Sequence, residues 1–443
     1  MNSREIILNI LVDININGAY SNHSINKHLK NKNIENENFI REIVYGVIEN
    51  KMYIDYIISQ ASSIKLKKIH ATTLEILRMG VYQIVFMDKI PNRAAVNEAV
   101  NLSKKYGHKG ISGFVNGVLR NVSRNKEKLI MVDNKNKIDY LSIKYSHSKW
   151  MVENFIENYG FEFAENLCKA NNSRPKLNIR VNTFKISKEE LMERLANYDY
   201  NIYETKYARD GIVIDNPMRI TSTEEYKKGY FIIQDESSML VSQIMDPTED
   251  SLVLDLCAAP GGKSTHIAQI MNNKGRIISR DIYDHKLKLI QENSDRLGIS
   301  IIETERFDAT VLDEKLIGKV DYCIIDAPCS GLGIIRRKPE IKWNRSKEDI
   351  ESLTEIQWNI LNNAKKYLKP GGTMIYSTCT IMKEENNCMI NKFLSENIDF
   401  ELVDFSDKIP LDKSVEDINQ GFIQLFPHIH NTDGFFIAKL KKN

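Results

Sequence analysis

The sequence predicts a multidomain protein: an all-α domain at the front, a small α+β domain in the middle, and an α/β domain with a doubly wound, largely parallel sheet at the end. Three observations predict this order. Residues 3–124 carry apolar side chains at helical spacing and show no alternating strand pattern. Residues 150–230 mix helical stretches with short strand-like runs. From residue 252 onward, short apolar runs alternate with amphipathic helices, as in β-α-β units.

The composition is ordinary for a globular protein and narrows the class. The chain has 443 residues, 42% hydrophobic and 27% charged, which excludes collagen-like and wholly disordered proteins. No apolar run approaches the roughly 20 residues that span a bilayer, and the first residues do not resemble a signal peptide. Six cysteines without a CxxC pair indicate neither a disulfide framework nor a zinc site. We therefore expect a cytoplasmic protein with reduced thiols, no membrane association and no metal.

The front domain is predicted to span residues 1–128. Its first helix places isoleucine and leucine side chains at i, i+3, i+4 and i+8, the spacing of one buried face. Further helices are predicted at 37–60, 70–87, 92–106 and 111–124. Residues 1–150 hold 23 Lys and Arg against 13 Asp and Glu, a net charge of +10. Such an excess suggests a polyanionic partner, although a solvated helical surface explains it equally well.

A polar linker is predicted at residues 129–147, followed by the α+β domain at 148–232 and the α/β domain at 233–443. In the α+β domain we expect helices at 148–170 and 187–197 and strands at 177–183, 212–214 and 230–234. In the α/β domain, five strands buried on both faces are predicted at 252–256, 276–279, 301–303, 322–325 and 373–376. The last apolar stretch, residues 434–440, is expected to close the sheet.

A glycine-containing loop follows the first strand of the α/β domain. Gly261 and Gly262 let the backbone approach a ligand closely, and the next helix offers free N–H groups at its start. A phosphate-binding Walker A loop is the main alternative because Gly262-Lys263-Ser264 matches its end. That loop requires glycine six residues before the lysine, where this chain has Cys257.

Two acidic residues follow the next strands of the same sheet. Asp281 lies 19 residues after Gly262 and can accept both hydroxyls of a ribose, and Asp308 can accept from an adenine amino group. A helix cap or a surface charge would explain either residue alone. Together with a glycine turn that lacks a polyphosphate motif, they favour an adenosine ligand such as S-adenosyl-L-methionine.

Two cysteines lie in polar loops at strand ends, within Asp326-Ala-Pro-Cys329-Ser-Gly331 and Ser377-Thr-Cys379-Thr380. Carbon methylation of a pyrimidine needs such a thiol, because C5 of cytosine becomes nucleophilic only after a thiolate adds at C6. A carboxyl group near N3 and the exocyclic amine, here Asp326, would stabilise the charge that develops. Spacing alone leaves open whether Cys329 or Cys379 attacks.

Taken together, these segments resemble the NOL1/NOP2/Sun family of RNA cytosine-C5 methyltransferases. The resemblance covers the glycine loop from Asp255 to Lys263, Asp281, Asp308, both cysteine motifs, and Thr432-Asp-Gly-Phe-Phe436. It also includes Arg180-Val-Asn182 and Gln234-Asp-Glu-Ser-Ser238. The front part resembles a NusB-type RNA-binding domain through Ala94-Ala-Val-Asn-Glu-Ala99 and Phe114-Val-Asn-Gly-Val-Leu-Arg120.

The resemblance implies a NusB-like helical domain, a ferredoxin- or RRM-like middle domain and a Rossmann-like class I methyltransferase domain. It implies that Cys379 is the nucleophile and that Cys329 assists breakdown of the adduct. It places the following residues around S-adenosyl-L-methionine: Cys257, Ala258, Ala259, Pro260, Gly261, Gly262, Lys263, Asp281, Asp308 and Asp326. It also implies small-subunit (16S) ribosomal RNA as substrate, before full assembly of the subunit.

RNA contacts are expected on the loop after Cys329, at Arg336, Arg337 and Lys338, although three basic residues can also form a merely solvated loop. We expect a monomer. There are two alternatives. One is a non-catalytic RNA-binding factor, in which RNA binding by the front domain alone accounts for the biological effect, and the other is a P-loop enzyme, which would bind ATP.

Overall fold

The computed structural model describes residues 2–29, 36–106, 109–215, 219–410 and 420–443. They divide into two compact units. The first comprises the described residues up to Ser173 together with Ile335–Arg345, and the second comprises Arg174–Ile334 and Ser346–Asn443. Among the described residues, no helix combines the length and apolar character needed to cross a membrane.

The first unit is helical, as expected for the front of the chain. Its helices up to residue 171 are α1 Ser3–Asn15, α2 Ser21–Leu29, α3 Glu37–Glu49, α4 Lys51–Ala61, α5 Ala71–Phe86, α6 Asn92–Tyr106, α7 Lys109–Arg124, α8 Lys126–Leu129, α9 Lys137–Lys144, α10 Lys149–Tyr159 and α11 Phe161–Asn171. Two predicted long helices are each broken in two. Asn50 separates α3 from α4, and its side-chain amide donates to the Gly46 carbonyl at 2.9 Å. Gly160, with φ +85°, separates α10 from α11 because this left-handed conformation ends a helix.

The second unit begins with a four-stranded antiparallel sheet in the order β2-β3-β1-β4. Its elements are β1 Leu177–Val181, α12 Lys188–Ala196, β2 Asn201–Glu204, β3 Gly211–Asp215, α13 Glu224–Lys227 and β4 Phe231–Ile233. Its buried residues include Ile179, Leu191 and Phe231. β2 was not predicted, because this edge strand is short and has no buried residue, so its sequence lacks a buried alternation.

A larger sheet follows in the order β10-β12-β9-β8-β5-β6-β7, with β11 paired to β12. Its strands are β5 Leu252–Asp255, β6 Arg276–Asp281, β7 Ile302–Arg306, β8 Val320–Asp326, β9 Leu368–Thr378, β10 Phe400–Leu402, β11 Phe422–Leu425 and β12 Phe435–Lys442. The remaining helices of the chain are α14 Glu236–Met245, α15 Gly262–Ile270, α16 Asp284–Leu297, α17 Ile341–Asn344, α18 Lys347–Tyr367, α19 Asn387–Glu396 and α20 Pro427–His430.

Strands β5 to β9 are parallel, as the sequence predicts, and β12 runs antiparallel to β9. The expectation that residues 434–440 close the sheet is wrong, because β10 pairs with the other side of β12 and forms the edge. β10 escaped prediction because it has only three residues. Since parallel strands end at one edge of their sheet, the loops after β5, β6, β7, β8 and β9 meet there.

The segment Ile335–Arg345 leaves the α/β domain after β8 and packs within the first unit. The Glu340 carboxylate accepts from the backbone N–H and the hydroxyl of Ser21 at 3.1 Å, at the start of α2. Lys342 donates to the Glu49 carbonyl at 3.0 Å, and the Trp343 indole donates to the Ile48 carbonyl at 3.0 Å. These buried contacts fix the segment to α2 and α3.

Candidate active site

The glycine loop connects β5 to α15 at the carboxyl edge of the large sheet. Gly261 donates to the Ala258 carbonyl at 2.7 Å, and Ala258 donates to the Arg280 carbonyl at the end of β6 at 2.8 Å. Gly261 has φ +95°, a conformation that favours glycine. Ala259 and Pro260 lie between Ala258 and Gly261, and the Pro260 carbonyl accepts from Asn293 of α16 at 3.0 Å. The loop is thus tied to β6 and α16, and α15 begins directly after it.

Hydrogen bonds between buried polar groups fix the position of the glycine loop. The Ser264 hydroxyl donates to the Asp255 carboxylate at 2.6 Å, and the Ser279 hydroxyl lies 2.9 Å from that of Ser264. Burial raises the pKa of Asp255 to about 6. Burial and the charge of Asp255 raise the pKa of Cys257, which keeps this cysteine a thiol beside the loop. The network joins β5, β6 and α15 through residues that are close in sequence.

Arg180 of β1 also holds the loop. Its guanidinium is buried and donates to the Gly262 carbonyl at 2.6 Å and to the Thr265 hydroxyl at 3.0 Å. A further bond joins it to Gln234. Burial lowers the pKa of Arg180 to about 9. The small antiparallel sheet therefore contributes a buried cation that fixes the start of α15, a contact that only the resemblance of Arg180-Val-Asn182 and Gln234 to family motifs could have suggested.

The two predicted ligand-binding acids lie at the ends of their strands. Asp281 is 8% exposed, and its carboxylate accepts from the Tyr283 backbone at 3.1 Å and lies 3.4 Å from the Lys286 amine. Asp308, after β7, is exposed and accepts from the backbone and hydroxyl of Thr310 at 2.9 and 2.7 Å. The two carboxylates can accept from hydroxyl and amino groups, and the helix start after the glycine turn can bind a carboxylate. An adenosyl amino acid carries all three kinds of group.

Cys329 and Cys379 lie with their sulfur atoms 3.2 Å apart. β8 and β9 are neighbours, and Asp326 pairs with Ser377 in their parallel register, so the two motifs leave the sheet side by side. Both cysteines are free and half-buried. The hydrogen bond with Cys379 is the main cause that raises the pKa of Cys329, and burial and the charges of Glu385 and Asp326 add to it. Cys329 therefore holds its proton beside the second sulfur.

Asp326 is oriented by two neighbours. The Lys263 amine lies 2.7 Å from one carboxylate oxygen, and the Ser377 hydroxyl donates to the other at 3.0 Å. Lys263 also lies 5.5 Å from the centre of the Phe435 ring. The amine of the glycine loop thus neutralises the carboxylate of the cysteine side and links the two halves of the site.

Three further residues shape the cysteine loops. Gly434 lies in the predicted motif from Thr432 to Phe436, whereas Gly333 and Glu385 were not singled out from the sequence. Gly333 donates to the Cys379 carbonyl at 3.0 Å, and Gly434 donates to the Gly333 carbonyl at 2.8 Å. A Cβ atom on Gly333 would lie 1.9 Å from the Gly434 carbonyl oxygen, so this crossing requires glycine. The third residue, Glu385, is buried beneath both loops, although its sequence neighbourhood of Lys383, glutamates and asparagines resembles a solvated surface.

The three basic residues after Cys329 differ in their exposure to solvent. Arg336 is 7% exposed, Arg337 is half-buried, and Lys338 is exposed; all three belong to the first unit. The expectation of an exposed basic loop is therefore wrong for Arg336, which is buried in the structure. In the described part of the chain, no group of three or more His, Cys, Asp or Glu could hold a metal ion.

Each of the three domains matches a known protein family. Residues 242–441 match the family described as 16S rRNA methyltransferase RsmB/F, residues 1–124 match the NusB family, and residues 147–221 match the ferredoxin-like domain of RsmF/B-like methyltransferases. These matches confirm the predicted fold of each domain.

A curated relative from Bacillus subtilis, named probable ribosomal RNA small subunit methyltransferase B, is 40% identical over 99% of this chain and 98% of its own. The crystal structure of PH0851 is 26% identical with a TM-score of 0.82, over 100% of this chain and 99% of that one. The structure of NSun6 from Pyrococcus horikoshii with SFG is 26% identical with a TM-score of 0.60, over 67% of this chain and 98% of that one. On this evidence, the chain belongs to the family of ribosomal RNA small subunit methyltransferase B.

Proposed function

We propose that this protein transfers a methyl group from S-adenosyl-L-methionine to C5 of a cytosine in 16S ribosomal RNA, through a covalent adduct between cysteine and C6. The observation that carries the proposal is the pair of sulfur atoms 3.2 Å apart, beside the ion-paired carboxylate of Asp326. Methylation at an exocyclic amine or a ribose hydroxyl needs no thiol, whereas methylation at C5 needs one that adds to the ring.

The donor half of the site fits S-adenosyl-L-methionine, which supplies an electrophilic methyl group when it is bound. Asp281 would accept from the ribose hydroxyls, and Asp308 from the adenine amino group. Backbone N–H groups at the start of α15 would bind the carboxylate. Arg180 supports this half by holding the Gly262 carbonyl.

Cys379 acts as the nucleophile in this proposal. Its thiolate forms a bond to C6, which places an electron pair at C5. C5 would then bond to the methyl carbon as the bond from that carbon to the sulfonium sulfur breaks, and the donor would leave as a neutral thioether. A base removes the C5 proton, the C5–C6 double bond reforms, and the C6–S bond breaks to return the thiolate. Cys329, whose raised pKa keeps its proton beside Cys379, assists the release step. Asp326 stabilises charge at N3 and the exocyclic amine.

The helical first unit would hold the RNA. Arg93, Arg120 and Arg124 line a surface cavity of about 350 Å³ between α6 and α7, which we call the arginine groove. All three are exposed, and guanidinium groups suit phosphate oxygens. Lys338 is the exposed member of the predicted basic loop. We propose that the substrate is small-subunit RNA before full assembly, and that the protein acts as a monomer in the cytoplasm.

The test is transfer of labelled methyl groups from S-adenosyl-L-methionine to unmodified small-subunit RNA, followed by bisulfite mapping. We expect one donor-dependent cytosine to become protected from conversion. Label recovered on a base other than cytosine, or on ribose, would reject C5 chemistry while leaving an RNA methyltransferase. No transfer to any RNA would reject the whole proposal.

A further inference from the structure

Glu385 is a buried carboxylate to which the proposed reaction assigns no step. It is 0% exposed, whereas the neighbouring Glu384 is exposed. A carboxylate removed from water is costly unless it accepts several hydrogen bonds. The position of those bonds therefore indicates what the residue does.

One set of bonds holds the Cys329 loop. Oε1 of Glu385 accepts from the backbone N–H of Ser330 at 2.8 Å, and Oε2 accepts from the Ser330 hydroxyl at 2.5 Å. Gln357 of α18 donates to Oε1 at 3.0 Å and to the Pro328 carbonyl at 3.0 Å. The residues on both sides of Cys329 are thus fixed through this carboxylate.

The other set holds the Cys379 loop. The Thr380 hydroxyl lies 2.7 Å from the Ser330 hydroxyl and also bonds to the Glu385 carboxylate. The Tyr376 hydroxyl, on β9, donates to the Glu385 backbone carbonyl at 2.7 Å. A single side chain therefore joins the residue after Cys329 to the residue after Cys379, although the two loops are about 50 residues apart in sequence.

We propose that Glu385 is a positioning residue that fixes the two cysteine loops against each other and so keeps the Cys329 and Cys379 sulfur atoms in contact. This inference rests on the proposed function for its catalytic consequence. A reacting group misplaced by about 1 Å can slow a reaction about a hundredfold. In the proposed reaction, both sulfur atoms must reach the same pyrimidine ring. Glu385 itself contacts neither sulfur in this role, and it acts through Ser330 and Thr380.

The positioning depends on hydrogen-bond geometry, whereas the negative charge of Glu385 is only one of the smaller causes that raise the pKa of Cys329. In Glu385→Gln the remaining oxygen can still accept from Ser330 N–H and from Gln357. The new NH2 group can donate to the Ser330 or Thr380 hydroxyl, because a hydroxyl both donates and accepts. Glu385→Gln should therefore rescue what Glu385→Ala loses. Glu384→Gln is the matched control, since it removes an exposed carboxylate from the adjacent position.

Hydrogen exchange of the full-length protein, measured by mass spectrometry without donor or RNA, tests the positioning directly. In Glu385→Ala we expect peptides that cover residues 328–332 and 379–382 to exchange at least about tenfold faster. We expect peptides that cover the glycine loop, and all peptides of Glu384→Gln and Glu385→Gln, to match wild type. Unchanged exchange in the Cys379 loop of Glu385→Ala would overturn the proposal. This readout is independent of whether the wild-type protein methylates cytosine.

Kinetics supply the second readout. We expect kcat of Glu385→Ala to fall about a hundredfold, with KM for RNA and the donor dissociation constant within about threefold of wild type. Glu385→Gln should remain within about threefold in kcat. A kcat as low in Glu385→Gln as in Glu385→Ala would contradict positioning by hydrogen bonds. If Glu385→Ala does not fold, Ser330→Ala and Thr380→Val each remove one hydroxyl, and unchanged kcat in both would overturn the proposal. Failure of wild-type protein to methylate cytosine C5 rejects the proposed function instead.

Discussion

The two halves of the carboxyl edge of the large sheet are stabilised over different distances along the chain. On the donor side, Ser264 bonds to Asp255 only nine residues away, and the glycine loop folds onto the ends of β5 and β6. On the cysteine side, Ser330 bonds to Glu385 at a separation of 55 residues. Much of the donor-side geometry is therefore encoded between Asp255 and Asp281, with Arg180 of β1 added from a distant part of the chain. The sulfur pair, in contrast, exists only after β8, β9 and the segment containing Glu385 have assembled.

The comparison predicts that substitutions can impair methyl transfer and donor binding separately. The largest effect is expected at the nucleophile. Cys379→Ser should lower turnover by about four orders of magnitude or more, because a serine hydroxyl is a far weaker nucleophile than a thiolate at neutral pH. The donor dissociation constant, measured by calorimetry, should stay within about twofold. The exposed Cys388→Ser is the control and should retain full activity. Full activity of Cys379→Ser would transfer the nucleophilic role to Cys329.

Cys329→Ser should affect release rather than attack. We expect a single round of methyl transfer and then a loss of multiple turnover of about a hundredfold, because loss of an acid–base partner slows the breakdown of the adduct. The protein–RNA adduct should appear as a shifted band on a denaturing gel. Rapid turnover without a shifted band would contradict the release role.

On the donor side, Asp281→Asn should weaken S-adenosyl-L-methionine binding by about tenfold to a hundredfold, the cost of losing a charged hydrogen-bond acceptor. At saturating donor, kcat should stay within about threefold of wild type, since the sulfur pair is not touched. The matched control is Asp284→Asn, an exposed carboxylate at the start of α16. Equal donor affinity in wild type and Asp281→Asn would remove Asp281 from the donor site.

The smallest effect is expected in the first unit, outside both halves. If four phosphates are neutralised, log affinity for RNA should fall with log salt at a slope of about −3. Replacing Arg120 and Arg124 of the arginine groove by glutamine should reduce the steepness of that slope by about 1.4. Lys67→Gln with Lys68→Gln removes the same charge from exposed positions of the same domain and should leave the slope unchanged. An unchanged slope in the arginine variant would exclude the groove from the RNA interface.

The sequence predicted the fold class and most elements because buried strands and amphipathic helices leave strong periodic patterns. It missed β2, β10 and β11, which are short strands at sheet edges. It also extended helices through Asn50 and Gly160, where a single residue ends the helix. Helix ends and edge strands depend on single residues and partners, and their periodicity is too weak to locate them.

The same distinction applies to the candidate site: local motifs predicted some of its residues, and contacts between distant segments determine the others. The motifs indicated the glycine loop, both acids and both cysteines, whose role assignments stay predictions. Arg336 was predicted to contact RNA, but it is buried within a segment that packs in the first unit, and its local sequence does not indicate this. Glu385 was equally hidden, since a glutamate within a charged run is usually exposed. In both cases a long-range contact reverses what the local composition suggests.

The most direct test of the central claim is to identify the residue bonded to the pyrimidine. Small-subunit RNA containing 5-fluorocytidine should remain attached to the protein after methyl transfer, because the base cannot remove fluorine from C5 as it removes a proton. Peptide mapping of this adduct by mass spectrometry should find the RNA on Cys379. Attachment at Cys329, or donor-dependent methylation without any covalent adduct, would contradict the account.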